Sequence, residues 1–280
     1  MKIAFITDIH SYAFNDFSKD VVCEWNDERK RYVETENGDM VLNSRLFNIL
    51  SGLADVRDYC VENDINLVLN GGDTFHKRST IDVTTFNCTY RVLESYRQCG
   101  IRQVIISGNH DNAINADNSP SSIETFKTFA DVATTPMLVQ HIKDNEFVNI
   151  LCLPWMKSKK NSLDLIDKGI DIFKGDGILL AHLGVSGASL GSGYVMSDDY
   201  QIGELKPNKW KYVLLGHYHK PQLLHDNVIY GGSPLQNDFG DEGDAHGFWV
   251  IDTQKRYDME LIPLHYPQFL TINSHFTYIF

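Results

Sequence analysis

Aspartate, asparagine and histidine recur in five short polar blocks, each placed at the end of an apolar run. Asp8-Ile9-His10 closes the run 2–7, Gly71-Gly72-Asp73 closes 65–70, and Gly108-Asn109-His110-Asp111 closes 102–107. His182 closes 177–181, and Gly216-His217-Tyr218-His219 closes 210–215. These are oxygen and imidazole donors with no thiolate among them. Such a set suits hard or borderline divalent cations, Mn²⁺, Fe²⁺ or Zn²⁺, and there are enough donors for two ions. One block alone says little, because buried Asp–His pairs are common and Gly-Asn-His-Asp can be a turn. Five in series would leave several carboxylates and imidazoles buried without partners, which is costly unless cations pair them. Asp8 and His10 are two residues apart, as are His217 and His219, so on extended segments each pair projects to one side.

Two cations about 3.5–4 Å apart polarise a phosphate oxygen and lower the pKa of a shared water towards neutrality. A carboxylate is the natural bridge between them, having two oxygens and a negative charge where imidazole has one lone pair. Asp73 is the only carboxylate of the second block and is therefore the expected bridge. A leaving alkoxide needs a proton, and histidine is the side chain that supplies one near pH 7. His110, beside the donor Asn109 but not required as a donor, fits that role. His76 follows in the loop after Asp73 and reads equally as a substrate contact or as a cap on the next helix. Lys77 and Arg78 are adjacent cations able to meet a phosphate backbone, although two basic residues are commonly just solvated. His141, His225, His246, His265 and His275 lie outside the blocks and read as surface or packing residues. No Gly-x-x-x-x-Gly-Lys loop occurs, which excludes that route to ATP.

The elements that must position these blocks alternate through the first half: strand 2–7, helix 44–63, strand 65–70, helix 81–98, strand 102–107. Leu46, Phe47, Leu50, Leu53, Ala54 and Val61 give the first helix an apolar stripe. Residues 11–43 form a charged insertion with an Asn37-Gly38 turn signal, longer than an ordinary βα loop, and read either as a functional rim or as a solvated excursion. Further strands are expected at 134–140, 147–153, 177–181, 210–215, 228–231, 247–252 and 257–262, with a helix near 161–173. Gly187, Gly191 and Gly193 with Ser186, Ser189 and Ser192 make 184–197 a flexible loop. One α/β domain fits: a two-sheet β-sandwich flanked by helices, four layers in the order αββα.

Composition sets limits. The 280 residues are 42% hydrophobic and 22% charged, as in ordinary globular chains. No run of about 18 apolar residues spans a membrane. The first charged residues come too early for a signal peptide. The five cysteines lack Cys-x-x-Cys spacing and read as reduced thiols of a cytoplasmic protein. A net charge of −12 argues against DNA binding by bulk electrostatics. Nucleic acid, if bound, is held locally at the metals or with a partner's basic surface.

The five blocks resemble the calcineurin-like metallophosphoesterase superfamily. Their flanks are similar to the SbcD family of DNA repair and recombination nucleases, in particular its phage members. The carrying segments are Gly-Gly-Asp-Thr-Phe-His (71–76), Leu-Pro-Trp-Met (153–156), Tyr-Val-Leu-Leu-Gly-His-Tyr-His-Lys-Pro-Gln (212–222), Tyr-Gly-Gly-Ser-Pro (230–234), Asp-Phe-Gly-Asp (238–241) and Gly-Phe-Trp-Val-Ile-Asp-Thr (247–253). The resemblance implies a nuclease domain over 1–265 with two divalent metal ions, Mn²⁺ foremost, with Mg²⁺, Fe²⁺ or Zn²⁺ as alternatives. It implies that Asp8, His10 and His219 hold one ion, that Asn109, His182 and His217 hold the other, and that Asp73 bridges them. His110 would protonate the leaving oxygen, Asp111 would steady His110, and His76 would orient the DNA end. DNA, an SMC-like (SbcC-like) ATPase subunit and a homodimer are the implied partners, in the cytoplasm of a bacterial cell or phage-infected host. Two features depart from the family. Ser11-Tyr12 stands where a glycine usually follows the first block. The chain stops at Phe280, soon after Phe269-Leu270-Thr271-Ile272 where capping would start. Either the protein is minimal, with 266–280 a C-terminal tail, or that tail begins a capping region whose remainder, with the partner-binding part, is missing from this chain. A phosphatase or phosphodiesterase acting on a nucleotide or phosphoprotein is the second reading, and a non-catalytic binding platform the third.

Overall fold

Alternation of buried side chains sorts each central strand between two cores. In β1 (Lys2–Ile6), β5 (Leu67–Asn70) and β6 (Arg102–Ile106), residues Ile3, Phe5, Leu67, Leu69, Val104 and Ile106 face one apolar core. Their neighbours Ala4, Ile6, Val68 and Ile105 face a second. The same holds for β10 (Gly177–His182), where Ile178 and Leu180 enter the first core while Leu179 and Ala181 enter a third. Strands buried on both faces in this way read as continuous apolar runs. The computed structural model of the chain describes residues 1–117, 119–190, 195–196 and 200–272.

Two six-stranded sheets stack on the shared core. The first adds β7 (Asp131–Ala133), β14 (Gly247–Asp252) and β15 (Met259–Pro263), in the order β15-β14-β1-β5-β6-β7. The second adds β8 (Met137–Lys143), β9 (Glu146–Leu153), β11 (Tyr212–Gly216), β12 (Gln222–His225) and β13 (Val228–Tyr230), in the order β12-β13-β11-β10-β9-β8. Helices α1 (Ser44–Glu62) and α2 (Val83–Gln98) cover the first sheet, and α3 (Lys159–Phe173) covers the second. The architecture is the four-layer αββα sandwich. β1, β5 and β6 run parallel, as do β10 and β11, so their carboxyl ends share one rim.

Local chemistry sets the helices. Asn43 caps α1, its side chain accepting from the Arg45 and Leu46 amides, and Asp82 caps α2 through the Thr85 amide. His76 is therefore not the cap of α2. The buried stripe of α1 is Leu46, Ile49, Leu50, Leu53, Val56 and Cys60; Val61, expected in it, is 53% exposed because it lies about 100° round the helix from Cys60.

The insertion is an ordered element rather than a solvated excursion. It forms a third sheet of β2 (Asp20–Asn26), β3 (Arg31–Glu34) and β4 (Met40–Asn43), in the order β3-β2-β4. The tight β2–β3 turn falls at residues 27–30, with Lys30 in the left-handed region. Asn37-Gly38 lies instead in the crossover from β3 to β4. There a Cβ on Gly38 would sit 2.4 Å from the Cys23 carbonyl oxygen, so the close approach demands glycine. Buried Arg57 of α1 clamps this sheet to the helices, donating to the Lys30 and Arg29 carbonyl oxygens and to Ser95 Oγ. In the Gly/Ser-rich stretch, Ala188 is fully buried, the Met196 amide donates to the Ala188 carbonyl oxygen and the Ser189 amide donates to Gln222 Oε1. That part is anchored rather than loose; Gly191, Ser192 and Gly193 lie outside the described residues, as does His275. Among the described residues no helix is long and apolar enough to cross a membrane.

Candidate metal centre

The five polar blocks meet at the shared rim. Asp8 and His10 follow β1, Asp73 follows β5, Asn109, His110 and Asp111 follow β6, His182 ends β10, and His217 and His219 follow β11. Hydrogen bonds lock the two sheets together there: His182 Nδ1 lies 2.7 Å from the Gly71 carbonyl oxygen, and the His217 amide donates to both Asp8 carboxylate oxygens at 3.1 Å. Two glycines make room. A Cβ on Gly108 would lie 2.1 Å from Asp73 Oδ1, and Gly72, at φ +101°, would bring one to 2.7 Å from the Gly108 nitrogen.

The backbone does not deliver the side chains as extended pairs. Asp8, His10 and Asp73 have φ of 51°, 49° and 53°, and His217 has φ of 112°. The period-two argument for Asp8 with His10 and for His217 with His219 thus fails in its premise, although each pair still converges. A non-glycine residue at such φ costs of order 1–3 kcal/mol, and such strain clusters at functional sites.

The donors flank Asp73 on two sides, and Asp8 lies near both: its donor atom is within 4.8 Å of those of His10 and His219 and also of those of Asp73 and His182. His10 Nε2 and His219 Nε2 face each other at 2.9 Å, with Asp8 Oδ1 4.0 Å from the former. On the other side, His182 Nε2 and His217 Nδ1 lie 3.0 and 3.1 Å from Asn109 Oδ1. Asp73 Oδ2 stands between, 3.9 Å from His10 Nε2 and 3.4 Å from His182 Nε2. Asp8, His10, Asp73 and His182 are each at most 2% exposed. Convergence of so many buried lone pairs fits divalent cations, and this cluster could hold two. The donor atoms of His10, His76 and His110 also lie within 4.8 Å of one another, so distance alone does not separate His76 and His110 from the donor set.

Electrostatics follow from burial and proximity. Burial pushes the Asp8 carboxyl up, partly offset by His182, and holds His10 well below its ordinary value. Burial would also raise Asp73, but the neighbouring His182 and His10 hold it far below the carboxylate range. Burial would lower His182, yet Asp73 outweighs it and lifts the ring to about 9. Burial lowers His217 to about 4, helped by His182, and lowers His76 to about 4, helped by His110 and Lys77.

Asp111 does not steady the His110 ring. Fully buried, its carboxylate accepts from the Gly108 and Phe75 amides at 2.9 and 3.2 Å, fixing the loop backbone, and burial and the Asp73 charge raise it to about 7. His110 is held otherwise: its amide donates to Asp73 Oδ1 at 2.7 Å and its Nδ1 lies 2.7 Å from the His76 carbonyl oxygen. Backbone amides compete for a buried carboxylate as strongly as an imidazole does, and sequence spacing cannot rank them. The His76 ring stacks on His110 at 5.8 Å and packs against Tyr12 and Phe14 of the insertion at 5.3 and 4.9 Å. Lys77 is exposed, its Nζ 5.2 Å from the Tyr12 ring, and Arg78 is half-buried in the same loop. His141 and His246, outside the blocks, are buried packing residues beside Asn66 Oδ1 and Ser233.

Two residues that the sequence does not single out complete the surroundings. Thr7 Oγ1 donates to Asp8 Oδ2 at 2.7 Å, and Asn237 Nδ2 lies 3.4 Å from His219 Nδ1. Thr7 abuts the first block, and Asn237 lies just before the Asp-Phe-Gly-Asp stretch, so adjacency is the only signal that could have found them.

Comparison with known proteins bears on the fold and the family. A dimetal phosphatase from Danio rerio shares the fold, with a TM-score of 0.50 at 10% identity over 89% of this chain and 91% of that one. Exonuclease subunit 1 of Enterobacteria phage T4 is 25% identical over 236 residues, covering 78% of this chain and 64% of its own length. Protein 078R of Invertebrate iridescent virus 3, whose name assigns it provisionally as a phosphoesterase, is 24% identical over 212 residues, covering 74% of this chain and 58% of its own. The chain thus spans less than two thirds of either viral relative. The family model described as calcineurin-like phosphoesterase matches residues 1–221, and with the fold and the Asp/His cluster this places the chain in the calcineurin-like phosphoesterase family, whose members are metal-dependent phosphoester hydrolases.

Proposed function

We propose that the chain is a two-metal DNA nuclease, the nuclease subunit of an SbcCD-like repair or recombination complex. The observation that carries the two-metal reading is the position of Asp73, whose Oδ2 faces both donor groups while its Oδ1 holds the His110 backbone. The likeness to a phage exonuclease subunit favours a nucleic-acid diester over a phosphomonoester. Asp8, His10 and His219 would hold one ion, and Asn109, His182 and His217 the other, with Asp73 available to both. Bound there, divalent cations supply Lewis-acid polarisation of the phosphate and a water of lowered pKa, and Mn²⁺ suits the nitrogen and oxygen donors. His110, its Nδ1–H held by the His76 carbonyl oxygen, releases the proton on Nε2 to the leaving oxygen. His76 is oriented by Tyr12 and Phe14 to meet the strand end, with Lys77 and Arg78 available to its phosphates. Purified chain with Mn²⁺ should degrade linear duplex DNA. Hydrolysis of phosphomonoesters without any cleavage of DNA would overturn the nuclease reading in favour of a phosphatase.

Metal uptake should be proton-linked. Without metal, His182 carries a proton up to about pH 9 because Asp73 stabilises the imidazolium. His217, lowered to about 4, and His10, lower than usual, are already neutral at pH 6. One proton must therefore leave His182 when an ion binds, and affinity should fall about tenfold per unit as pH drops from 8 to 6. Calorimetry in buffers of different ionisation enthalpy should find close to one proton released per first ion at pH 7. No release would remove His182 from the donor set.

With net charge −12, the isolated chain should hold duplex DNA by neutralising few phosphates. Each phosphate neutralised by the protein adds about −0.9 to the slope of log K against log salt. Digestion should be weak and should fall steeply between about 50 and 200 mM salt, with an SMC-like ATPase supplying grip and processivity. Processive digestion by the chain alone, insensitive to salt, would remove the need for such a partner. The four buried cysteines and exposed Cys99, all unpaired, suit a reducing cytoplasm, bacterial or phage-infected.

A further inference from the structure

Beside the metal centre, a cleft of about 810 Å³ opens between the start of the insertion, the first turn of α1, residues 235–239 and residues 267–270. Three rings meet along it: Phe17 and Phe239 at 5.4 Å, Phe17 and Phe269 at 5.8 Å, and Phe239 and Phe269 at 4.9 Å. Phe17 is 74% exposed and Phe239 is 45% exposed. Phe17 also has φ of 54°, so the chain accepts backbone strain at a residue that presents a large apolar ring to water.

Two cations stand among the rings of the cleft. Lys19 and Arg45 line it against one carboxylate, Glu34, with Asp16 and Asp238 near Arg45 outside the lining. The Arg45 guanidinium lies 4.0 Å from the Phe14 ring and 5.2 Å from the Phe269 ring, an arrangement that keeps a flat cation among flat aromatic faces. Asn237 joins the cleft to the metal centre: its carbonyl oxygen accepts from Arg45 Nη2 while its side-chain amide lies 3.4 Å from His219 Nδ1.

Aromatic faces combined with local cations form the chemistry that binds single-stranded nucleic acid, since every base has a π-face and every linkage a phosphate. We infer that this cleft is a subsite for an unpaired nucleic-acid strand, its bases stacking on Phe17, Phe239 and Phe269 and its phosphates meeting Arg45 and Lys19. A strand lying there would pass along Asn237 to the donors at His219, so the cleft guides a single-stranded end to the metals. The inference rests on the nuclease reading for its purpose, but the binding it describes does not require cleavage.

The test is fluorescence anisotropy of a labelled oligothymidylate with EDTA present, so that neither the metals nor cleavage contributes. Wild-type chain should bind it. The double variant Phe17→Ala/Phe239→Ala should bind about tenfold or more weakly, and Phe17→Tyr/Phe239→Tyr, which keeps both rings, should bind as wild type does. All three should hydrolyse bis(p-nitrophenyl) phosphate equally with Mn²⁺, because neither ring touches the donors. Equal binding by wild type and the alanine variant, or no binding by wild type, would overturn the subsite. Ring-dependent binding in EDTA, with no cleavage of the oligonucleotide or of linear duplex DNA once Mn²⁺ is supplied instead, would overturn the nuclease reading and leave the subsite standing.

Discussion

Asp73→Ala is expected to abolish turnover and to lower the occupancy of both metal positions together. Partners one step removed from a metal already cost about 10–100-fold when removed. A carboxylate shared by two ions should therefore cost on the order of 10³-fold or more, with activity falling to background. No neighbour can replace it: Asp8 is engaged by Thr7 and the His217 amide, and Asp111 by the Gly108 and Phe75 amides. Because Asp73 Oδ1 also accepts from the His110 amide, the alanine variant loosens that loop. Asp73→Asn keeps one acceptor oxygen for the His110 amide but removes the charge and replaces the second oxygen with an NH2 donor, and it should lose metal and activity nearly as far. Elemental analysis with diester hydrolysis checks both variants. Retention of one fully occupied ion in Asp73→Ala would mean that the two donor groups are independent.

His110→Ala should behave differently. Metal content should stay near normal while the rate falls about 10²–10⁴-fold, the range for a positioned general acid. A substrate whose leaving group needs no protonation should recover much of that loss, so the deficit should be large for an alkyl leaving group and small for p-nitrophenolate. The closeness of His10, His76 and His110 gives this experiment its force. If His110→Ala loses an ion and p-nitrophenyl esters suffer equally, His110 is a ligand and the proton comes from elsewhere.

Much of this is legible in the sequence because central strands buried on both faces write themselves as apolar runs, and the polar residues that end them stand out. The run 177–181 ending in His182 and the run 210–215 ending in His217 are of this kind, and both lie in the second sheet beside its shared core. The insertion is harder to read. Val21 and Cys23 are buried while Val22 and Glu24 are exposed, a period-two signal, but the strands are four to seven residues long and pair out of order. Val21, Cys23, Tyr32 and Leu42 packing into the core of α1 and α2, together with Arg57 at the β2–β3 turn, make that sheet part of the body.

Within the centre, residue types can be read from the sequence but not their backbone. Nothing in Asp8, His10 or Asp73 announces left-handed φ, because that conformation is imposed by the bonds of the Asp8 and His10 amides to the Gly72 and Asp73 carbonyl oxygens. Asp111 escapes a sequence reading for a related reason. Its proximity in sequence to His110 suggests a side-chain pair, whereas burial makes its carboxylate serve the amides that shape the turn. Asn237 is invisible because its two partners, Arg45 and His219, join segments far apart in the chain.

The most direct measurement is anomalous diffraction from crystals of the chain loaded with Mn²⁺. Two peaks about 3.5–4 Å apart are predicted. One should sit among Asp8, His10 and His219 and the other among Asn109, His182 and His217, with Asp73 touching both. A single peak, or a peak held by His76 and His110, would contradict the shared two-metal centre.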